Sequence, residues 1–269
     1  MAYDSSSVRR RGRGLQPVLL LLAAVAQIAT ALLMNFLHIG VDVGLRSALT
    51  SHPLVPAGPA FTIWGVIYLF SLVSAIWQML PNQKYNLALE TVGWNLTGIY
   101  LINAIWQIWV PVEGFDWVSS ALVFVALMTG LSGLVRLRLD MVLVRHDEIM
   151  VFAPLALVTG WLTAACFLNF TTVLVAGNYG LDPTYVGVSL AFLIGLILFS
   201  GVMAWIVESL VFSGALIWAL AWIMIANIYR ESQPSMVTAC LIGMAVVGLV
   251  TAWAVTHRHE STSMSLHGS

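Results

Sequence analysis

The chain has 269 residues, of which 60% are hydrophobic and only 9% charged, and its formal net charge is −1. Soluble domains are close to one-quarter charged, so these proportions exclude a water-soluble globular protein. A near-zero charge confined to loops and tails also gives nucleic acid nothing to bind.

Apolar runs of the length that a ~30 Å hydrocarbon core demands of a helix recur eight times, at 15–37, 59–80, 91–110, 117–137, 149–176, 185–207, 210–229 and 236–255. A Ser/Arg-rich tail, 1–14, precedes the first run, which is longer than the apolar core of a signal peptide (~7–15 residues) and reads as a retained helix. The segment 38–58 holds Gly40, Gly44, Pro53, Pro56 and Gly58 and reads as a long loop. Pro81 and Asn82 end the second span, Pro111 the third, and Asn178, Gly180 and Pro183 form the turn after the fifth. Glu208 and Ser209 make a tight hairpin, Pro234 opens the last span, and a His/Ser-rich tail, 257–269, follows. The predicted fold is all-α: a polytopic integral membrane bundle of about eight helices. Arg9, Arg10, Arg11, Arg13, Lys84, Arg136, Arg138, Arg145 and Arg258 fall on one side of such a bundle, and only Arg46 and Arg230 on the other. That asymmetry predicts both termini in the cytoplasm, and the expected location is the cell (inner) membrane.

The fifth span organises the rest. Pro154, Trp161, Ala165, Asn169 and Thr172 follow steps of seven, four, four and three, which is one stripe of a helix. An amide facing lipid is left unpaired, so Asn169 is expected to face other helices or a cavity. In the second span Trp64, Tyr68, Ser71, Ala75 and Gln78 make a continuous face, and in the third Asn95, Ile99, Asn103 and Trp106/Gln107 share a side. Three successive helices with an indole and an amide on a single stripe suggest an internal pocket that stacks flat apolar ligands. Inward polar residues also hold bundles together without binding anything, and that reading stays open.

Phe61, Trp64 and Tyr68 in FTIWGVIY, Asn103 and Trp106 in INAIWQ, and the run Pro154, Trp161, Ala164, Ala165, Leu168, Asn169 resemble the motifs of the tryptophan-rich sensory protein/translocator protein (TspO/MBR) family. The resemblance covers 15–176 and implies a five-helix bundle whose pocket opens toward the first loop. It leaves 177–256 as three additional helices of a longer, eight-span branch. It also implies an apolar ligand such as a tetrapyrrole, with no required cofactor. The implied ligand-binding residues are Trp64, Tyr68, Asn103, Trp106, Trp161, Ala165 and Asn169, and the stripe of the third span adds Asn95 to the expected site. The expected partners are the lipid bilayer, an apolar small molecule and a second copy of the chain.

Other chemistries find little support. Lys84, the only lysine, lies between two spans, which excludes a Schiff base within a helix. Cys166 and Cys240 lie inside spans, and His257 and His259 stand in a charged tail, so no metal site is expected. Asp140, Asp147 and Glu148 share a loop with Arg136, Arg138 and Arg145 and read as a mixed-charge surface. No catalytic acid–base pair is evident. Two functions remain: a sensor that binds a planar apolar ligand and regulates or moves it, or a secondary transporter of a small amphipathic substrate.

Overall fold

A computed structural model describes residues 13–50, 52–177 and 184–267, the side chains of 231 and 258–267 excepted. Arg9, Arg10 and Arg11, the turn at Asn178, Gly180 and Pro183, and the side chains of Arg258 and His259 lie outside the described residues. All regular structure among the described residues is helical: α1 (Gln16–Phe36), α2 (Val43–Leu49), α3 (Ile63–Trp77), α4 (Leu87–Glu113), α5 (Trp117–Asp140), α6 (Arg145–Asp147), α7 (Ala153–Ala176), α8 (Val186–Val207), α9 (Leu210–Ala226) and α10 (Pro234–His267).

Seven of these, with their flanking turns, are long and apolar enough to cross a membrane. The eighth long helix, α4, is the longest of the first five and falls short only in apolarity. It carries Glu90, Asn95, Thr97, Asn103, Gln107 and Glu113 within its length. Those residues are mostly turned inward, so α4 sits in the bundle by burying its polar face rather than by being uniformly apolar.

Helix ends follow local chemistry. Asn86 caps α4 by accepting the Leu89 N–H at 3.0 Å, and Asp116 and Ser119 form a reciprocal capping box on α5. Pro111 does not stop α4 as expected. It lies in the last turn, where its carbonyl accepts from Val41 N (2.9 Å) and Arg46 (2.7 Å), and the helix ends at Gly114 with φ +97°. Pro154 cannot donate to the carbonyl four residues back, Met150, and the chain there runs as a π segment, Glu148–Phe152. The freed Met150 carbonyl is taken instead by the Ser74 hydroxyl of α3. The last helix also passes residue 255, where the last span was expected to end.

Helices α1, α3, α7, α5 and α4 touch in that order and close back on α1, which makes a five-membered ring. Helices α8, α9 and α10 touch one another, and α8 and α9 pack on the outside of α7, with α8 also reaching α5. Helix α7 therefore belongs to both groups. In the span that includes it 78% of an 18-residue apolar stretch is buried, against 22% in α1. At the α7–α9 crossing a Cβ on Gly160 would stand 2.5 Å from the Phe212 carbonyl oxygen, so only glycine permits this approach.

Candidate functional site

The ring encloses an apolar slot of about 40 Å³, next to a wider vestibule of about 510 Å³ on the side of the 38–58 loop. Phe61 and Trp64 line both and form the partition between them. Trp64 stacks on Tyr68 (centroids 5.6 Å, 26°), and Trp161 meets Trp64 and Phe61 edge to face, each at 6.2 Å. The spacing of Trp64 and Tyr68 on α3 puts both rings on one helix face, and α7 supplies Trp161 from across the ring.

Of the residues singled out from sequence, Trp64, Asn103, Trp106, Trp161, Ala165 and Asn169 line the slot, while Tyr68 faces the vestibule. Asn95 is not brought to either cavity. Its Nδ2 donates to Thr129 O (2.7 Å) and Ser132 Oγ (3.0 Å), and its Oδ1 accepts from Arg136 at 2.6 Å. Asn95 is eight residues, just over two turns, before Asn103, and the accumulated rotation carries its side chain onto α5.

A buried polar network fixes the helices around the aromatic partition. Asn103 donates to Gln27 Oε1 (2.9 Å), Gln27 donates to Ser71 Oγ (2.8 Å), and Gln107 donates to the Tyr68 hydroxyl (2.7 Å). Helices α1, α3 and α4 are thereby cross-linked through amides that would otherwise be unpaired in an apolar interior. Gln27 was missed from sequence. The available signal was its spacing of eleven, three helical turns, from Gln16, which is also buried.

The loop closes the slot, and the C-terminal helices hold the loop. Ser47 and Pro56 from the loop and Ala219 and Ile223 from α9 complete the lining. Asn227 donates to Pro53 O (2.6 Å), Arg230 to Val55 O (2.7 Å), Trp218 Nε1 to Ala60 O (2.9 Å), and Ala57 N to Trp222 O (3.1 Å). Leu54 and Val55 are buried beneath these contacts. His52, also buried, lies 3.0 Å from the Thr172 hydroxyl through Nε2. That hydroxyl already donates to Leu168 O (2.8 Å), so Nε2 carries the proton and Nδ1, without a partner among the described residues, is the bare nitrogen. Burial, and secondarily the nearby Arg230, push the His52 pKa down from 6.5 to about 3, so the ring is neutral.

The opposite end of the bundle is sealed by cations. Arg13 donates to Gln16, to the side chain and carbonyl of Gln78, and to Gln83 O. Arg138 does not lie on a mixed-charge surface: its side chain is 6% exposed and pairs with Glu148 at 2.7 Å. It also donates to Val207 O (2.7 Å) and lies 3.6 Å over the Phe152 ring, joining α5, the π segment and the end of α8. Arg136, Lys84 and Arg145 stand at the same end, and Arg46 and Arg230 at the loop end. Among the described residues no group of three His, Cys, Asp or Glu side chains could hold a metal.

Comparison with known proteins agrees with this architecture. No curated protein and no solved structure matches the chain. A family model described as TSPO-like protein matches residues 17–253, which takes in α8 to α10 as well as the ring and so extends the resemblance beyond residue 176. An integral, multi-pass helical membrane protein with an aromatic-walled slot at its centre and a family match over nearly its whole length, this chain belongs to the TSPO-like protein family.

Proposed function

We propose that this protein binds a planar, apolar ligand of the tetrapyrrole type within the membrane and acts as its sensor, the ligand entering from the loop side. The observation that carries this reading is the partition of Phe61, Trp64 and Trp161 between vestibule and slot. Drug-sized ligands occupy pockets of ~300–1,000 Å³. The vestibule, at about 510 Å³, falls in that range, and the slot, at about 40 Å³, lies well below it. A flat ring entering the vestibule meets the Trp64 and Tyr68 faces first. The end of the bundle sealed by Arg13, Gln78 and Gln83 favours binding over carriage through to the other side.

We place the protein in the cell membrane with both termini in the cytoplasm, because Arg13, Lys84, Arg136, Arg138 and Arg145 gather at one end. A cysteine at exposed Leu45 should then label from outside with an impermeant reagent, and one at exposed Asn82 should not. A second copy of the chain is the partner proposed for it in the bilayer.

The test of binding is tryptophan quenching by a porphyrin on the purified protein. Replacing Trp64 and Trp161 together by leucine keeps the spans apolar, so insertion survives while saturable quenching is lost. Unchanged quenching in the double variant would remove the partition from the site.

A further inference from the structure

At the end of the bundle where α1 begins, a cavity of about 290 Å³ is lined by Arg13, Gly14, Pro17 and Lys84. It shares no lining residue with the slot or the vestibule. Two of its lining residues are cations, and no described residue on its wall is acidic. A Cβ built on Gly14 (φ +57°) meets nothing within 4 Å, so the space beside the two cations is open.

Arg13 is held in place without being neutralised. Its Nη1 and Nη2 donate to Gln16 Oε1 (2.9 Å), Gln78 Oε1 (2.6 Å), Gln78 O (2.9 Å) and Gln83 O (3.2 Å), all uncharged acceptors. The remaining donor, Nε–H, is buried and has no partner among the described residues. Glu90, exposed on α4, acts on Arg13 only through space. Lys84 makes no ion pair among the described residues, and its ammonium stands 5.4 Å from the Tyr85 ring centroid. A cation fixed by neutral groups beside an open cavity leaves a charge for an anion to balance.

The surroundings decide which anion. Leu15, Leu19 and Leu22 are exposed at steps of four and three, which is one apolar stripe at this end of α1. In a bilayer that stripe lies against acyl chains, and basic pockets at such helix ends take lipid headgroups. We propose that this cavity binds the headgroup of one anionic phospholipid, its phosphate between Arg13 and Lys84 and its chains along Leu15, Leu19 and Leu22. The lipid supplies the counter-charge that the described residues do not, and it ties the start of α1 to the α3–α4 connection. A zwitterionic headgroup brings its own ammonium, which cancels most of that attraction. The site is independent of what the ring binds.

The test is native mass spectrometry of the full chain released from a nonionic detergent. The protein is titrated with palmitoyl-oleoyl phosphatidylglycerol, the matching phosphatidylcholine, or sn-glycerol 3-phosphate. The first phosphatidylglycerol should bind about tenfold or more tightly than phosphatidylcholine, the scale of two cations at a membrane surface. Lys84→Gln should lower phosphatidylglycerol affinity about fivefold, and Lys84→Glu should abolish the preference. Phosphatidylcholine binding and the lipid-free melting temperature should stay unchanged in both, which shows that the variants are folded. Arg145→Gln removes an exposed cation that does not line the cavity and should leave the preference intact. Equal affinity for the two lipids, or a preference that survives Lys84→Glu, overturns the assignment. An equal loss in Arg145→Gln means diffuse attraction to the whole basic end and also overturns it. Glycerol 3-phosphate binding as tightly as phosphatidylglycerol would give the cavity to a soluble phosphate ester and overturn the lipid.

Discussion

Helices α1, α3 and α4 meet through amides, whereas α8, α9 and α10 meet through small residues. In the ring, Gln27, Ser71, Asn103 and Gln107 span three helices with hydrogen bonds of 2.7–2.9 Å, and the space between them holds a slot and a vestibule. In the C-terminal trio the contacts are close: a Cβ on Gly243 would stand 2.7 Å from Ile197, and Thr251 donates to Ser213 Oγ at 2.6 Å. Long polar side chains keep backbones apart and fix their register, while glycine and alanine bring them together. The ring is thus built to keep an interior, and the trio to brace the ring and pin its loop.

Arg138 links the two regions, and its loss is the largest effect expected. Arg138→Met leaves the Glu148 carboxylate and the Val207 and Glu208 carbonyls without their buried cation, and breaking a buried pair from one side costs ~3–5 kcal/mol. Unfolding in detergent should show that loss. A variant as stable as the parent would mean that ring and trio hold together without this bridge.

The α7–α9 crossing is the next way to separate them. Gly160→Val must push Phe212 and Ala215 away, and overpacking of this kind costs ~1–3 kcal/mol. The slot should also lose its Ala219 and Ile223 wall, so porphyrin quenching and thermal stability should fall together. If stability falls and quenching persists, α9 is a brace only and not a wall.

The unequal legibility of the two regions has a physical basis. Apolar length and turn residues marked the long helices, because the bilayer imposes both. The stripes of Trp64/Tyr68 and Trp161/Ala165/Asn169 were readable because i, i+4 spacing places residues on one face whatever they pack against. Asn95 misled because two turns of helix rotate a residue far enough to change its neighbour. Arg138 and Glu148 looked solvated because a loop charge gives no sign of the α8 end that buries it. The role of α9 was invisible for a related reason: Ala219 and Ile223 are ordinary lipid-compatible residues, and only tertiary packing turns them into a pocket wall.

The loop offers a milder way to test the brace. His52 is kept neutral in the fold, with its pKa lowered from 6.5 to about 3, whereas a released loop takes up a proton in that window. The state with more bound protons gains as pH falls, so the loop contact is complete above pH 6.5 and weakens on acidification toward about 3. A cysteine at buried Val55, with labelling normalised to the denatured chain, should become more reactive over that range. His52→Gln should flatten the response. Asn227→Ala removes a donor to Pro53 O worth about 1 kcal/mol and should raise labelling at every pH. Labelling that ignores both pH and Asn227 would show that the loop is held elsewhere.

The smallest effect is expected where the sequence pointed most directly. Asn169 was expected to face other helices or a cavity; its one observed hydrogen bond returns to Ala165 of α7, and its Oδ1 is unpaired among the described residues. Asn169→Leu therefore removes no bond between helices and relieves an orphaned acceptor, so folding should change by less than ~1 kcal/mol in either direction. Asn103→Leu is the matched comparison. It strips Gln27 Oε1 of its donor inside the ring, and intramembrane hydrogen bonds of this kind are worth ~0.6–2 kcal/mol. The ordering is the decisive outcome. If Asn169→Leu destabilises more than Asn103→Leu in the same detergent, Asn169 is a structural amide and the two regions share one polar framework. If it destabilises less, the amide network stops at α1, α3 and α4, and α7 presents Asn169 to the slot rather than to its neighbours.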